Sequence, residues 1–199
     1  MPENGTEKSF SFIEGTSKVV VDGVAREVEF NDNWQDYQPE GYRWRTLVYE
    51  NTDKSKEDAA IVNVRPGGKT PVQINLQSEK TESKHRIWDV HLSGGATLLI
   101  CRKGEKPQVI KFGKGENIAS RTNLIEQGTI ICWFADSEQD TDVTLFESEI
   151  PGFESANIKR VDEDATEIQG QIIPQEFWEI FHKLDTGKRF NPDGTAIDN

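Results

Sequence analysis

AAIVNVRPGGKTPVQINL, residues 59–76, reads as a strand, an enforced turn and a second strand. Ala59–Arg65 is apolar and β-branched, which favours an extended backbone. Pro66-Gly67-Gly68 cannot continue that strand and must turn. Val72–Leu76 then resumes it. The same grammar repeats towards the C-terminus. Ser78–Lys84 is a solvated loop, Arg86–Leu92 runs into Ser93-Gly94-Gly95, and Ala96–Arg102 follows. Lys103–Pro107 turns, Gln108–Phe112 extends, and Gly113-Lys114-Gly115 stops it. Thr129–Ala135 and Val143–Glu149 close the series around the acidic loop Asp136–Asp142.

Towards the N-terminus, Tyr42–Tyr49 (YRWRTLVY) alternates in the manner of a strand with two faces. Asn31–Gly41 is a polar loop that carries Trp34 and Tyr37. Lys18–Asp22 and Ala25–Phe30 flank Asp22-Gly23, a strong hairpin signal. Turn signals about every eight to twelve residues predict a sandwich or barrel. Beyond Phe153 the composition shifts. Val161–Thr166 is acidic, and Pro174 opens an amphipathic helix to Leu184. Phe177, Ile180, Phe181 and Leu184 share one face of it. Gly187 suits the end of that helix, and residues 188–199 read as a frayed tail.

Length and charge narrow the function. A chain of 199 residues suits one large β domain with appendages. Five Trp, ten Phe and three Tyr supply core material. The formal net charge of −12 repels phosphate backbones, and no Lys/Arg stripe reverses this locally. Nucleic-acid binding and anionic membrane attachment are therefore not expected. Cys101 and Cys132 sit in the apolar runs LLICRK and TIICWF, as buried reduced thiols do, and two cysteines cannot build a zinc site. The start, MPENGTEKSF, is polar, so a secretory leader is not expected. These features together predict a cytoplasmic location.

From Ala59 to Phe153 the order of features resembles the cupin superfamily. Pro66-Gly67-Gly68-Lys69-Thr70-Pro71 is similar to the turn that opens the first cupin motif. RIWDVHLSGG, residues 86–95, is similar to the strand entering the inter-motif turn. FGKGE (112–116) and IEQGTIICWF (125–134) are similar to the second motif, and ESEIPGF (147–153) to the ending of several cupin families. The resemblance implies an all-β, double-stranded β-helix barrel, or jelly roll. Residues 1–17 are then a flexible tail, 18–153 the barrel domain with extra N-terminal strands, and 154–199 an extension with its helix at about 174–184.

The resemblance breaks at the metal ligands. Gln73 and Asn75 occupy the His-x-His positions, the Glu position falls near Ile87, and the last His position near Ile131 or Cys132. Amide and aliphatic groups are poor ligands for transition metals, so no metal and no cofactor is expected. Gln73 and Asn75 share a strand face and can bind hydroxyl or carbonyl groups of a ligand. Otherwise they are ordinary polar strand surface.

Asp89 and His91 also share a face, with alpha carbons about 6.6 Å apart. His91 is a candidate base oriented by Asp89; the alternative is a solvent-facing polar ladder. Glu147 is a candidate acid or base, or a surface carboxylate paired with Glu149. His85 is too distant along the strand to join His91 at one metal, and His182 reads as structural. Arg43, Arg45 and Arg65 hold a carboxylate or phosphate if they face inward, and merely solubilise if they face outward. Trp88 and Trp133 form an aromatic wall for a sugar ring, or simply pack.

The expectation is a protein that binds a small polar ligand, a carbohydrate or carboxylate, inside the barrel. The competing expectation is an enzyme: a metal-independent sugar isomerase or epimerase, or a metal enzyme with an atypical ligand set around His91. The resemblance also implies a homodimer, paired through outer sheet faces.

Overall fold

The computed structural model describes residues 10–12, 18–21, 24–27, 29–30, 34–48, 59–75, 87–113, 128–149 and 158–198, with side chains for 34–45, 62–74, 94–113, 128–145 and 159–198. The Asp22-Gly23 turn, the Ser78–Lys84 loop, His85 and the Pro151-Gly152-Phe153 ending lie outside the described residues.

Short strands follow one another in antiparallel pairs. They are β1 (Phe10–Phe12), β2 (Lys18–Val21), β3 (Val24–Glu27), β4 (Glu29–Phe30), β5 (Tyr42–Val48), β6 (Ala59–Val64), β7 (Gln73–Asn75) and β8 (Ile87–Ser93). Then come β9 (Ala96–Cys101), β10 (Gln108–Phe112), β11 (Ile130–Ala135), β12 (Val143–Glu149), β13 (Ile158–Arg160), β14 (Glu167–Ile168) and β15 (Gln171–Ile172). The helix α1, Gln175–Leu184, follows. Two five-stranded sheets carry the architecture, in the orders β4-β5-β6-β12-β8 and β10-β9-β11-β7-β13. Among β6 to β12, successive strands cross repeatedly between the two sheets, as a double-stranded β-helix requires. Strand β1 falls within the span read as a tail; its alternating Phe-Ser-Phe pairs with β2, Phe10 opposite Val21.

Pro66 and Gly67 make the turn that the sequence demanded. The Gly68 amide donates to the Arg65 carbonyl at 2.7 Å. Gly67 has φ +74°, the left-handed value that the third residue of a type II turn needs.

Two cores share the second sheet. Its inner face meets the first sheet in a cluster that includes Val62, Val64, Leu98, Ile100, Trp133 and Leu145. Its outer face carries Ile74, Leu99, Ile130, Cys132 and Phe134 and is covered by Phe177, Trp178 and Phe181 of α1. Hence β9 and β11 are buried at every residue. A strand covered on both faces needs apolar side chains throughout, which explains the unbroken runs ATLLIC and IICWFA.

Residues 188–198 pack where the sequence suggested fraying. The Phe190 ring is buried, its amide donates to the Pro39 carbonyl at 2.9 Å, and Tyr37 N–H donates to the Pro192 carbonyl at 3.2 Å. The absent side chain of Gly41 makes room for that ring, since a Cβ there would lie 2.5 Å from it. No helix among the described residues is long and apolar enough to cross a membrane.

Both cysteines are free and buried. Burial pushes both thiols up, Cys132 well above the ordinary range. The thiolate is the reactive form, so a maleimide or disulfide reagent at neutral pH is expected to leave both unmodified in the native protein. Two equivalents should react once denaturant unfolds it; rapid native labelling would contradict this packing.

Candidate functional site

Strand pairing assigns the candidate residues to faces. Residues directly opposite in an antiparallel pair share a sheet face. Gln73 stands opposite Ile131, which belongs to the inner core, so positions 73 and 75 are on the inner face. His91 stands opposite the buried Leu145, and Glu147 opposite both Asp89 and Ala60. Positions 89, 91 and 147 therefore lie on the inner face of the other sheet. For Asn75, His91, Glu147 and Trp88 the structure describes the backbone positions alone.

Chain direction sorts these positions along the barrel. The loop from Ala135 to Val143 joins β11 and β12 at one end. Gln73 pairs near the opposite end of β11, and Asp89 pairs Glu147 near the opposite end of β12. Inner-face positions 73, 75, 89 and 147 thus gather towards one end of the barrel, with 91 next along. Apolar side chains run from that level towards the Ala135 end: Ile100 and Ile131 stand level with Gln73, Leu145 is opposite His91, and Leu98 lies further along, with Leu98, Ile100 and Leu145 at most 1% exposed.

Trp133 belongs to that packed region. It is buried on the inner face, 5.6 Å from the Phe112 ring, and its Nε1 has no hydrogen-bond partner among the described residues. Trp88 stands opposite Ser148, on the face opposite to His91. Arg65 is also apart from the polar positions. It follows β6 at the Ala135 end, pairs with Asp142 at 3.3 Å, and lies 4.6 Å from the Tyr37 ring.

Tyr37 itself accounts for part of this arrangement. Burial and its hydrogen bond to Asp142 raise the phenol to about 12. The hydroxyl thus stays protonated and donates to a carboxylate that Arg65 also engages. In the sequence Tyr37 is only an aromatic in a polar loop. Nothing local announced Asp142, more than a hundred residues away.

Two further constellations lie outside the barrel. A cleft of about 150 Å³ lies beside the Pro-Gly turn, β13 and α1; its lining includes Lys69, Thr70, Arg160, Phe181 and Arg189. Lys69 is buried there, paired with Asp185 and 4.6 Å from the Phe181 ring. On the surface, His182 lies 2.8 Å from Asp164 through Nε2 and 3.6 Å from Glu163 through Nδ1. Both imidazole nitrogens already face carboxylates, so this exposed group reads as a polar network.

Comparison with solved structures follows the same lines. Oxalate decarboxylase from Bacillus subtilis superposes with a TM-score of 0.50 at 12% identity, over 68% of this chain and 32% of that one. Peruvianin-I, a cysteine peptidase from Thevetia peruviana latex, gives 0.50 at 10% identity, over 65% of this chain and 72% of that one. The fold is that of the cupins. A cupin-2 domain protein of Rhodospirillum rubrum, Rru_A2000, also aligns, with a TM-score of 0.46 at 12% identity, over 66% of this chain and 76% of that one. The chain spans about a third of the length of the oxalate decarboxylase that it matches. No family model matches the sequence, and no curated protein does.

Many cupins hold a metal inside the barrel. On the second sheet the inner-face positions are poor in donors for one, whereas Asp89, His91 and Glu147 occupy inner-face positions of the first. Gln73 and Asn75 offer amides, and Ile131, opposite Gln73, offers no donor.

Proposed function

We propose that this cupin barrel binds a small polar molecule, a carbohydrate or a carboxylate, without a metal, at the end marked by Gln73 and Asn75. The observation that carries the reading is the segregation of the inner face. Polar residues occupy positions 73, 75, 89, 91 and 147 towards one end, while the described inner-face side chains at the Ala135 end, Val64, Leu98 and Val143 among them, are apolar and buried. Amides present donors and acceptors together, which suits hydroxyl and carboxylate groups. A pocket with an apolar floor and a few convergent polar groups is the usual form of a small-molecule site.

A thermal-shift screen of sugars and small carboxylates tests this. At least one ligand is expected to raise the melting temperature saturably. Gln73→Ala should reduce that shift while leaving the ligand-free melting temperature close to that of the parent. An unchanged ligand shift in Gln73→Ala would place the site elsewhere.

One observation favours a second reading, acid–base catalysis. Asp89 and Glu147 occupy directly opposed positions on the inner face, and like charges so placed are unfavourable unless one takes up a proton or a countercharge is near. His91 occupies the inner-face position two residues along from Asp89, and histidine is a common general base. If a ligand from the screen is turned over, His91→Ala should abolish turnover and leave binding largely intact.

A further inference from the structure

The outer face of the first sheet carries a column of cations and rings. Arg43 and Arg45 alternate along β5 with Tyr42 and Trp44, whose side chains pack at the inner core. Arg43 stands opposite Asn63, which accepts a hydrogen bond from Thr144 on the neighbouring strand. Loop residues Trp34 and Tyr37 interleave with the arginines. Arg45 lies over the Trp34 ring at 4.7 Å, and Arg43 contacts Trp34 at 4.5 Å and Tyr37 at 4.6 Å. Arg65 lies over Tyr37 at 4.6 Å.

The charges in this column are not balanced alike. Arg65 has Asp142. Arg43 makes no hydrogen bond or ion pair with any described residue; its Nε is buried without a partner, as is the Nε of Arg65, so the difference between the two is the Asp142 carboxylate. A guanidinium cannot shed its proton to relieve this. Its flat faces are the parts that aromatic rings satisfy, and its N–H edges still require acceptors in their own plane. The chain carries a formal charge of −12, so a cation without a carboxylate partner among the described residues is not explained by a shortage of acid.

We infer that this column is an oxyanion-binding surface, separate from the barrel lumen, with Arg43 as the donor to a carboxylate or phosphate group of a small ligand and Arg45 and Arg65 flanking it. Contact with the Trp34 and Tyr37 rings restrains the guanidinium before the anion arrives. A held fork loses little freedom on binding and can engage two oxygens at once.

Calorimetric titration of the full chain with inorganic phosphate and, separately, with citrate tests this at ionic strength matched with sodium chloride. Saturable binding of either anion is expected, and the one preferred identifies the ligand as phosphate or carboxylate. Arg43→Met should weaken that binding at least tenfold, and Arg43→Lys should recover part of it, since a lysine keeps the charge but not the fork. If Arg43→Met does not fold, Arg43→Gln takes its place, with the melting temperature as the check. The inference is overturned if neither anion binds the parent protein saturably, or if the folded Arg43 variant binds as tightly as the parent. The Gln73→Ala variant should bind the anion as the parent does, which separates this surface from the lumen.

Discussion

Replacing Phe177 by alanine is expected to lower the unfolding free energy by about 4 kcal/mol, the range found for deleting a fully buried aromatic ring. Phe177 is 0% exposed and lies 5.1 Å from Trp178, ring to ring. Its neighbours come from two directions: α1 itself, and the outer face of the second sheet with Leu99, Ile130, Cys132 and Phe134. The helix has ten residues, too short to be stable alone in water, so its order depends on this docking. Deleting the ring should therefore expose the sheet face as well as leave a cavity. Chemical denaturation measures the effect through the transition midpoint. A loss below about 1 kcal/mol would show that α1 does not share the cooperative unit of the barrel.

The same cluster shows what the sequence made legible. The turn at Pro66-Gly67 was readable because Pro and Gly restrict the backbone locally, whatever surrounds them. The strand series was readable from the spacing of turn residues, and the barrel from the order of two motif-like runs. Which face of β11 looked inward was not readable. Ile131, Trp133 and Ala135 line one core and Ile130, Cys132 and Phe134 the other, and all six are apolar. Alternation carries information only where one face is wet.

The polar candidates were legible to different degrees. Gln73 and Asn75 were placed on one face by simple parity, and pairing with β11 sets that face inward. Arg43 and Arg45 were legible as a pair on one face, but the loop that covers them was not. Trp34 and Tyr37 reach them only through tertiary packing, and the acid that holds Tyr37 and Arg65 comes from the loop before β12. Lys69 gave no warning of burial, because a lysine in a Pro-rich turn is ordinarily solvated.

That buried lysine leads to the second large effect. Asp185→Ala is expected to destabilise the protein by about 3 kcal/mol, near the lower end for removing one member of a buried ion pair. The side chains of Lys69 and Asp185 are 7% and 13% exposed. Taking away the carboxylate leaves the ammonium over the Phe181 ring, with little water to replace its partner. The double variant Lys69→Met/Asp185→Ala should recover much of the loss, because it removes the uncompensated charge as well. Acid titration separates charge from packing. Burial pushes the Asp185 carboxyl up, but its hydrogen bonds from Lys69 and the Gly187 amide outweigh this and hold it below its ordinary value. The folded state thus binds this proton less readily than the unfolded chain does. The resulting stability is present above the ordinary carboxylate value, about 3.9, and is lost as pH falls through the lower folded value. The parent protein should lose this increment below about pH 4, whereas Asp185→Asn should lack that part of the acid slope. Parallel acid slopes for the two proteins would mean that Lys69 and Asp185 are not coupled in solution.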